Sequence, residues 1–290
     1  MSKFVIVLFL SLPFSNTAIT ENLDETANDI LGKYIVGTLG NFGGDYLKHL
    51  DIEFNVSDKK KMVSSINAIT SFYDDKDAVF FNQTTFSRHN GDSTVNTGFA
   101  YRSLFSNNTM IMGVNAFYDR ELALTHQRIG LGVEFLSSVF DFRSNYYEAF
   151  SDTKLNSSSE QEKALDGWDL RGDYHLPYTG SHDLTAFLSY YDWSESGGDH
   201  NLDGYKVGVT ARFYKNLFLE AGVDDNGDLS NSYLIFSYAL IFGDEGVKKS
   251  NNVSGFMNFQ NVDNRMYDKV IRHNRIVKVV KGAVSVSRGN

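Results

Sequence analysis

Residues 99–105 (FAYRSLF), 110–122 (MIMGVNAFYDREL) and 126–150 (HQRIGLGVEFLSSVFDFRSNYYEAF) form three runs joined by connections too short to hold a helix. In much of each run every second residue is large and apolar or aromatic, and the residues between are often Gly, Asn, Arg, Asp or Glu. A period of two belongs to a strand whose faces meet unlike surroundings. In the last run Ile129, Leu131, Val133 and Phe135 share one side, and Arg128, Gly130, Gly132 and Glu134 the other. A soluble sandwich turns such an apolar face inward and leaves its charges in water, whereas a membrane barrel reverses the two. Periodicity alone leaves both open, so the connections between strands must decide.

The alternation extends outward from this stretch into twelve runs between His49 and Phe242, most of about eight to thirteen residues. Membrane-spanning strands need about 9–11 residues, and single-chain bacterial barrels use an even number of them. If the first strand runs outward from the periplasm, the periplasmic connections are residues 74–77, 106–108, 138–139, 177–181 and 215–216, all of them short. The opposite side receives Asp152–Leu165, with its LNSSSEQEK run, and Ser194–Asn201, with SESGGDHN. These are the longest and most polar connections, although Arg120–Leu122 on the same side is short. Short turns on one side and long loops on the other are the asymmetry of a bacterial membrane barrel. The expected fold is all-β, a twelve-stranded antiparallel outer-membrane barrel.

With 290 residues, 16 Tyr, 23 Phe, only 2 Pro and no Cys, the chain has the composition of one large domain made of paired strands. The lack of cysteine excludes a disulfide scaffold and thiolate metal sites. The net charge of −9 is spread along the chain, no nucleic-acid module is visible, and nucleic acid is not an expected partner. Met1–Ala18 reads as a signal peptide, with Lys3 before an apolar Phe4–Leu12 core, then Pro13 and a small residue, Ala18. That core is too short to cross a bilayer as a helix, and no other stretch approaches the roughly 20 apolar residues required. Residues 19–48 are expected to be a periplasmic segment, with an amphipathic helix over Glu21–Gly40. Residues 49–242 form the barrel, and residues 243–290 a linker and tail.

In a barrel the polar face lines the lumen. The candidate pore-lining residues are therefore Arg102, Arg128, Glu134, Asp141, Arg143, Asp169, Arg171, Asp173, Lys206, Arg212, Glu220 and Asp224. Charges of both signs facing one another across a wet interior avoid the penalty of desolvation. The tail carries Arg265, Lys269, Arg272 and Arg275, and Glu134, Asp141, Asp169, Asp173 and Glu220 are the wall carboxylates that would receive it if it lay in the pore, as the resemblance described next implies. A solvated end, or one bound to anionic lipid, is the plainer use of a basic tail. The last run, NSYLIFSYALIF (231–242), is similar to the aromatic-rich terminal strand by which outer-membrane barrels are recognised for insertion. Outer-membrane lipid, the barrel-assembly machinery and periplasmic chaperones are the partners this implies.

Phe42–Ser151 resembles the translocation barrel of the intimin and invasin family, the inverse autotransporters. The matching residues are LDIEFNV (50–56), SINAITSFYDDKDAVFFNQ (65–83), HNGDSTVNTGFAYR (89–102) and MGVNAFYDRELALTHQRIGLGVEFLSSVFDFRSNYYEAFSD (112–152). NAFYDREL followed by HQRIGLGVE and NYY is the most specific part, because it sets several non-hydrophobic residues at fixed separations. GWDLRGDYHLP (167–177) continues the likeness, which covers about 200 residues, and NRMYDKVIRHNRIV (264–277) is similar to the segment that follows the barrel in that family. There the segment threads the pore and carries an adhesive passenger to the cell surface. This sequence shows no immunoglobulin-like repeats after it, so the resemblance implies a translocator without a passenger, its N-terminus periplasmic and its C-terminus extracellular. Adhesion to a host-cell receptor and a part in virulence are further implications.

Local catalytic signatures are missing. His126, His175, His182 and His200 sit in no Gly-x-Ser-x-Gly or His-Glu-x-x-His pattern, and the expectation is no catalysis, no cofactor and no metal. Asp224–Asp228 (DDNGD) has the composition of a calcium loop but lacks the bidentate Glu. It reads instead as a tight turn in which Asn226 and Gly227 take positive φ. The alternative to a translocator is a passenger-less diffusion channel whose tail stays in the periplasm; a soluble lipocalin-like binder is a third reading.

Overall fold

The computed structural model describes residues 46–89, 92–156, 158–177, 183–198, 200–214, 216–242 and 259–281. The signal peptide, the Glu21–Gly40 helix and residues 243–258 lie outside them. Five long strands open the fold: β1 (Leu47–Ser57), β2 (Val63–Asp74), β3 (Ala78–His89), β4 (Asp92–Phe105) and β5 (Met110–Glu121). Then come β6 (Gln127–Ser137) and β7 (Phe140–Ala149), the short pieces β8 (Lys154–Leu155) and β9 (Gln161–Ala164), and β10 (Asp166–His175). The last are β11 (Leu184–Ser194), β12 (Asn201–Tyr214), β13 (Leu217–Asp225), β14 (Ser230–Ile241) and, in the tail, β15 (Lys278–Lys281).

The twelve long strands form a closed antiparallel meander, because β1 pairs with β14 from His49↔Ile241 to Ser57↔Tyr233. Nearly every expected run becomes a strand with similar limits. The sixth run, expected over residues 123–137, starts only at Gln127, where the turn through Thr125 (φ 59°) ends. Two connections differ from expectation. Asp152–Leu165 is not an open loop but folds back as the β8–β9 hairpin, whose β9 pairs with β15 of the tail. In the turn after β13 only Gly227 takes positive φ, at 81°, while the Asn226 side chain accepts a hydrogen bond from Leu229 N at 2.7 Å.

The faces are those of a membrane barrel. Outward-pointing Leu131, Val133 and Phe99 are 55%, 53% and 49% exposed, whereas inward-pointing Arg102 and Arg128 are fully hidden. Apolar side chains thus meet the surroundings and charges fill the inside, the reverse of a water-soluble sandwich. Leu131→Lys puts an ammonium on the lipid face near the middle of β6 and is expected to cost about 2–4 kcal/mol. The urea midpoint of barrels refolded in lipid vesicles checks this, with unchanged stability counting against a lipid-facing Leu131.

Candidate functional site

The lumen holds the protein's own tail. Residues 259–281 enter at the short-turn end, where Gln260 N donates to Ser138 Oγ and Val262 N to Asn108 O, each at 2.8 Å. Asn108 closes a turn in which Ser106, Asn107 and Asn108 all have positive φ, which presents its carbonyl to the tail. The tail leaves beside the long-loop hairpin, where Leu165 N donates to Val277 O at 2.9 Å and β15 pairs with β9 from Lys278↔Ala164 to Lys281↔Gln161.

Between these ends three basic side chains of the tail pair with wall carboxylates. Arg265 donates to both oxygens of Asp141, at 2.9 and 2.7 Å, and to Ser137 O at 2.5 Å. Lys269 pairs with Glu53 and lies 3.6 Å from Asp51. Arg272 forks onto Asp119 at 2.7 and 2.8 Å, and Asp119 also accepts from Arg128 Nε at 2.9 Å and Asn96 Nδ2 at 2.7 Å. A carboxylate bound this way is a strong, geometrically selective anchor for guanidinium groups. Lys278 completes the series with Glu121 and Glu162, each at 2.7 Å.

Neutral side chains hold the tail backbone. Gln83 accepts from Val270 N at 2.8 Å and donates to Val270 O at 3.2 Å, imitating a neighbouring strand. Tyr147 Oη accepts from His273 N at 2.7 Å and donates to Asp169 at 2.6 Å. Arg102, stacked over Phe81, donates to Met266 O at 2.9 Å and Asp268 O at 2.6 Å while its other nitrogens bind Glu134. Arg102, Gly113 and Glu134 are opposite one another on β4, β5 and β6, and a Cβ on Gly113 would come within 2.6 Å of Glu134 Oε1. Gly130 likewise leaves room for Arg272, whose Nη2 would sit 2.5 Å from an added Cβ.

Of the candidate pore-lining residues, Arg102, Arg128, Glu134, Asp141, Arg143, Asp169, Asp173 and Asp224 are buried, and Arg171, Lys206, Arg212 and Glu220 are half-buried. Their partners differ from expectation. Of the five carboxylates expected to bind the tail, only Asp141 ion-pairs with it. Glu134 binds Arg102, Asp173 binds Arg143 and Arg171, and Glu220 binds Arg171 and Tyr233, all within the wall. Asp169 is held by Asn145 and Tyr147, Asp224 by Lys60 and Tyr191, and Arg212 pairs with Asp183 toward the short-turn rim. The wall and hairpin carboxylates that bind the tail and were missed from sequence are Asp51, Glu53, Asp92, Asp119, Glu121 and Glu162, because strand parity tells which face a residue takes and not which height it shares with the tail. Arg275 is exposed near the long-loop end.

The lumen is not polar along its whole length. Ile69, Val79, Phe81, Leu104, Ile111 and Leu136 point inward and pack against Val262, Met266 and Val270 of the tail. Burying such side chains contributes roughly 1.5–3 kcal/mol each, and it requires an apolar occupant. At the other end Tyr147, Leu165, Tyr191 and Trp193 pack with Val277 and Val279. There, in the connection before β6, burial together with the Lys278 charge pushes the His126 imidazole below its usual range.

A closed twelve-stranded barrel with an apolar exterior and its own chain packed in the lumen is an outer-membrane β-barrel of the plugged kind. The chain belongs to the inverse autotransporter β-domain family, which it matches over residues 14–274. It is 32% identical over 142 residues to an attaching and effacing protein homolog of Escherichia coli (strain K12), covering 48% of this chain and 46% of that one. It is 29% identical over 118 residues to the inverse autotransporter adhesin YeeJ of the same strain, covering 39% of this chain and 5% of that one. The chain therefore spans less than half of the first relative and a twentieth of the second. Among solved structures, a chain from work on the in-meso crystallization of membrane proteins superposes with TM-score 0.67 at 20% identity, covering 81% of this chain and all of that one. An outer membrane channel from Pseudomonas putida F1 gives 0.51 at 11% identity, covering 68% of this chain and 98% of that one. At these identities the structures share the fold.

Asp119 is the test of the plug. Asp119→Ala leaves two guanidinium groups buried without their shared carboxylate and is expected to cost roughly 3–5 kcal/mol. The check is the denaturation midpoint of the folded barrel, set against that of Asp119→Ala/Arg272→Met, which removes one of the stranded charges and should recover part of the loss.

Proposed function

We propose that this barrel is a translocator and anchor, carrying the segment that follows residue 242 across the outer membrane to the cell surface. The observation that supports this best is the path of residues 259–281, bound to the wall from the short-turn end to the β8–β9 hairpin. Bacterial barrels keep short turns in the periplasm and long loops outside. The tail accordingly enters from the periplasm and emerges at the surface. The barrel works by binding and sealing, with no covalent chemistry. The relative named as an adhesin supports adhesion as the use of the exported chain; a host-cell receptor and a part in virulence are further parts of this proposal. Assembly by the barrel-assembly machinery and periplasmic chaperones belongs to the same reading.

The alternative is a diffusion channel with a periplasmic tail, and a shared fold with an outer membrane channel is compatible with it. Two measurements separate the readings. An epitope tag after Asn290 is expected to be protease-accessible on intact cells, as is a control tag in the Asn156–Glu160 loop; cleavage of the loop tag alone rejects export. Deleting residues 243–290 is expected to raise single-channel conductance in planar bilayers several-fold, whereas a channel with a periplasmic tail conducts equally with and without it.

A further inference from the structure

Glu121, His126 and Glu162 converge at the long-loop end of the barrel, from the last residue of β5, the residue before β6 and the β9 hairpin. Each offers one ligand atom, and these atoms all lie within 4.8 Å of one another. All three residues are buried: His126 is fully hidden, and Glu121 and Glu162 are 3% and 8% exposed. The imidazole Nδ1 is 3.1 Å from Ser151 Oγ, which fixes the ring, while Nε2 points into the cluster 3.3 Å from Glu162 Oε1 with no hydrogen bond of its own. The second oxygen of Glu121 is likewise buried without a hydrogen bond. The cation between the carboxylates is the Lys278 ammonium, 2.7 Å from each.

One lysine in contact with two carboxylates leaves them short of positive charge, to which Arg275 adds only part, and the imidazole nitrogen, whose lone pair could take a donor or a metal ion, has no hydrogen bond. A divalent transition cation answers both needs. One imidazole with two carboxylates is a donor set that zinc accepts, and ligands at about 2.1 Å in a tetrahedron stand about 3.4 Å apart. Both glutamates have rotatable side chains to close the remaining distance. The Ser151 contact plays the part of the outer hydrogen bond that orients a ligating imidazole.

We propose that Glu121, His126 and Glu162 form a binding site for a divalent transition-metal ion of the zinc type, and that Lys278 of the tail is its built-in competitor. Metal and ammonium exclude each other because they use the same carboxylate oxygens. The ion takes the place of the Lys278 anchor while the β9–β15 pairing, which is made of backbone bonds, stays. Barrel wall, hairpin and tail thus meet at a site whose occupant sets how firmly the tail is tied at that end.

The test uses the full chain, purified without a polyhistidine tag, folded in detergent micelles and stripped with a chelator. Co²⁺ absorption and Zn²⁺ calorimetry are the readouts. The expected result is one ion per chain, bound at least tenfold more tightly by Lys278→Met than by the unaltered protein. Adding His126→Ala or Glu162→Gln to Lys278→Met is expected to weaken binding at least tenfold. Glu162 lies outside the barrel wall, so Glu162→Gln decides the matter if His126→Ala prevents folding, which gel mobility with and without heating reveals. Binding that Lys278→Met leaves unchanged, or that survives Glu162→Gln, places the ion at other histidines and overturns the proposal, as does the lack of any Co²⁺ spectrum.

Discussion

A strand edge has no hydrogen-bonding partner in hydrocarbon, so a sheet that crosses a bilayer must close on itself. In this protein closure is the pairing of β1 with β14. Much else depends on it. The alternation of residues then has an inside and an outside, the apolar face is committed to lipid, and the polar face surrounds a space of limited width. Whatever fills that space meets the lumen's charges at short range, in a setting where an unpaired charge is costly.

The tail meets that demand as a core would. At the short-turn end it contributes Val262, Met266 and Val270 to an apolar cluster that the wall could not otherwise bury. Higher up it brings cations to the wall carboxylates, Arg265 to Asp141, Lys269 to Glu53 and Asp51, and Arg272 to Asp119. Arg272 and Arg128 share Asp119, an arrangement held together by two aromatic faces, Phe117 under Arg272 and Tyr147 under Arg128. Wall and tail therefore form one packed unit, held by apolar contact at both ends and by ion pairs and hydrogen bonds along its length.

This arrangement explains the unusual residues of the central fragment. In NAFYDREL the inward positions are Asn115, Phe117, Asp119 and Glu121, and in HQRIGLGVE they are Arg128, Gly130, Gly132 and Glu134. Asp119 and Glu121 grip tail cations, Phe117 lies beneath Arg272, Arg128 binds His273 O, and Gly130 makes room for the Arg272 side chain. The separations of these residues along the fragment are thus the heights of tail contacts on adjoining strands. Read singly, these residues are only the polar half of an alternating strand, and so are Gln83, Asn96 and Tyr147, which bind the tail backbone at Val270, Asn274 and His273.

What the sequence determined by itself is local and periodic: strands where residues alternate, a face for each side chain, short turns against long loops, and a basic segment after the last strand. Those properties need only the chain within a few residues of each position, and they sufficed for a twelve-stranded barrel with Arg102, Arg128 and Asp141 turned inward. Which charges meet was decided by tertiary structure alone. Glu134 goes to Arg102 across Gly113, and Asp119 rather than Asp169 receives Arg272, because strand register and the tail's path set the height of every group in the lumen. The β8–β9 hairpin belongs to the same class, since a stretch as polar as LNSSSEQEK becomes sheet only where the emerging tail supplies a strand beside it.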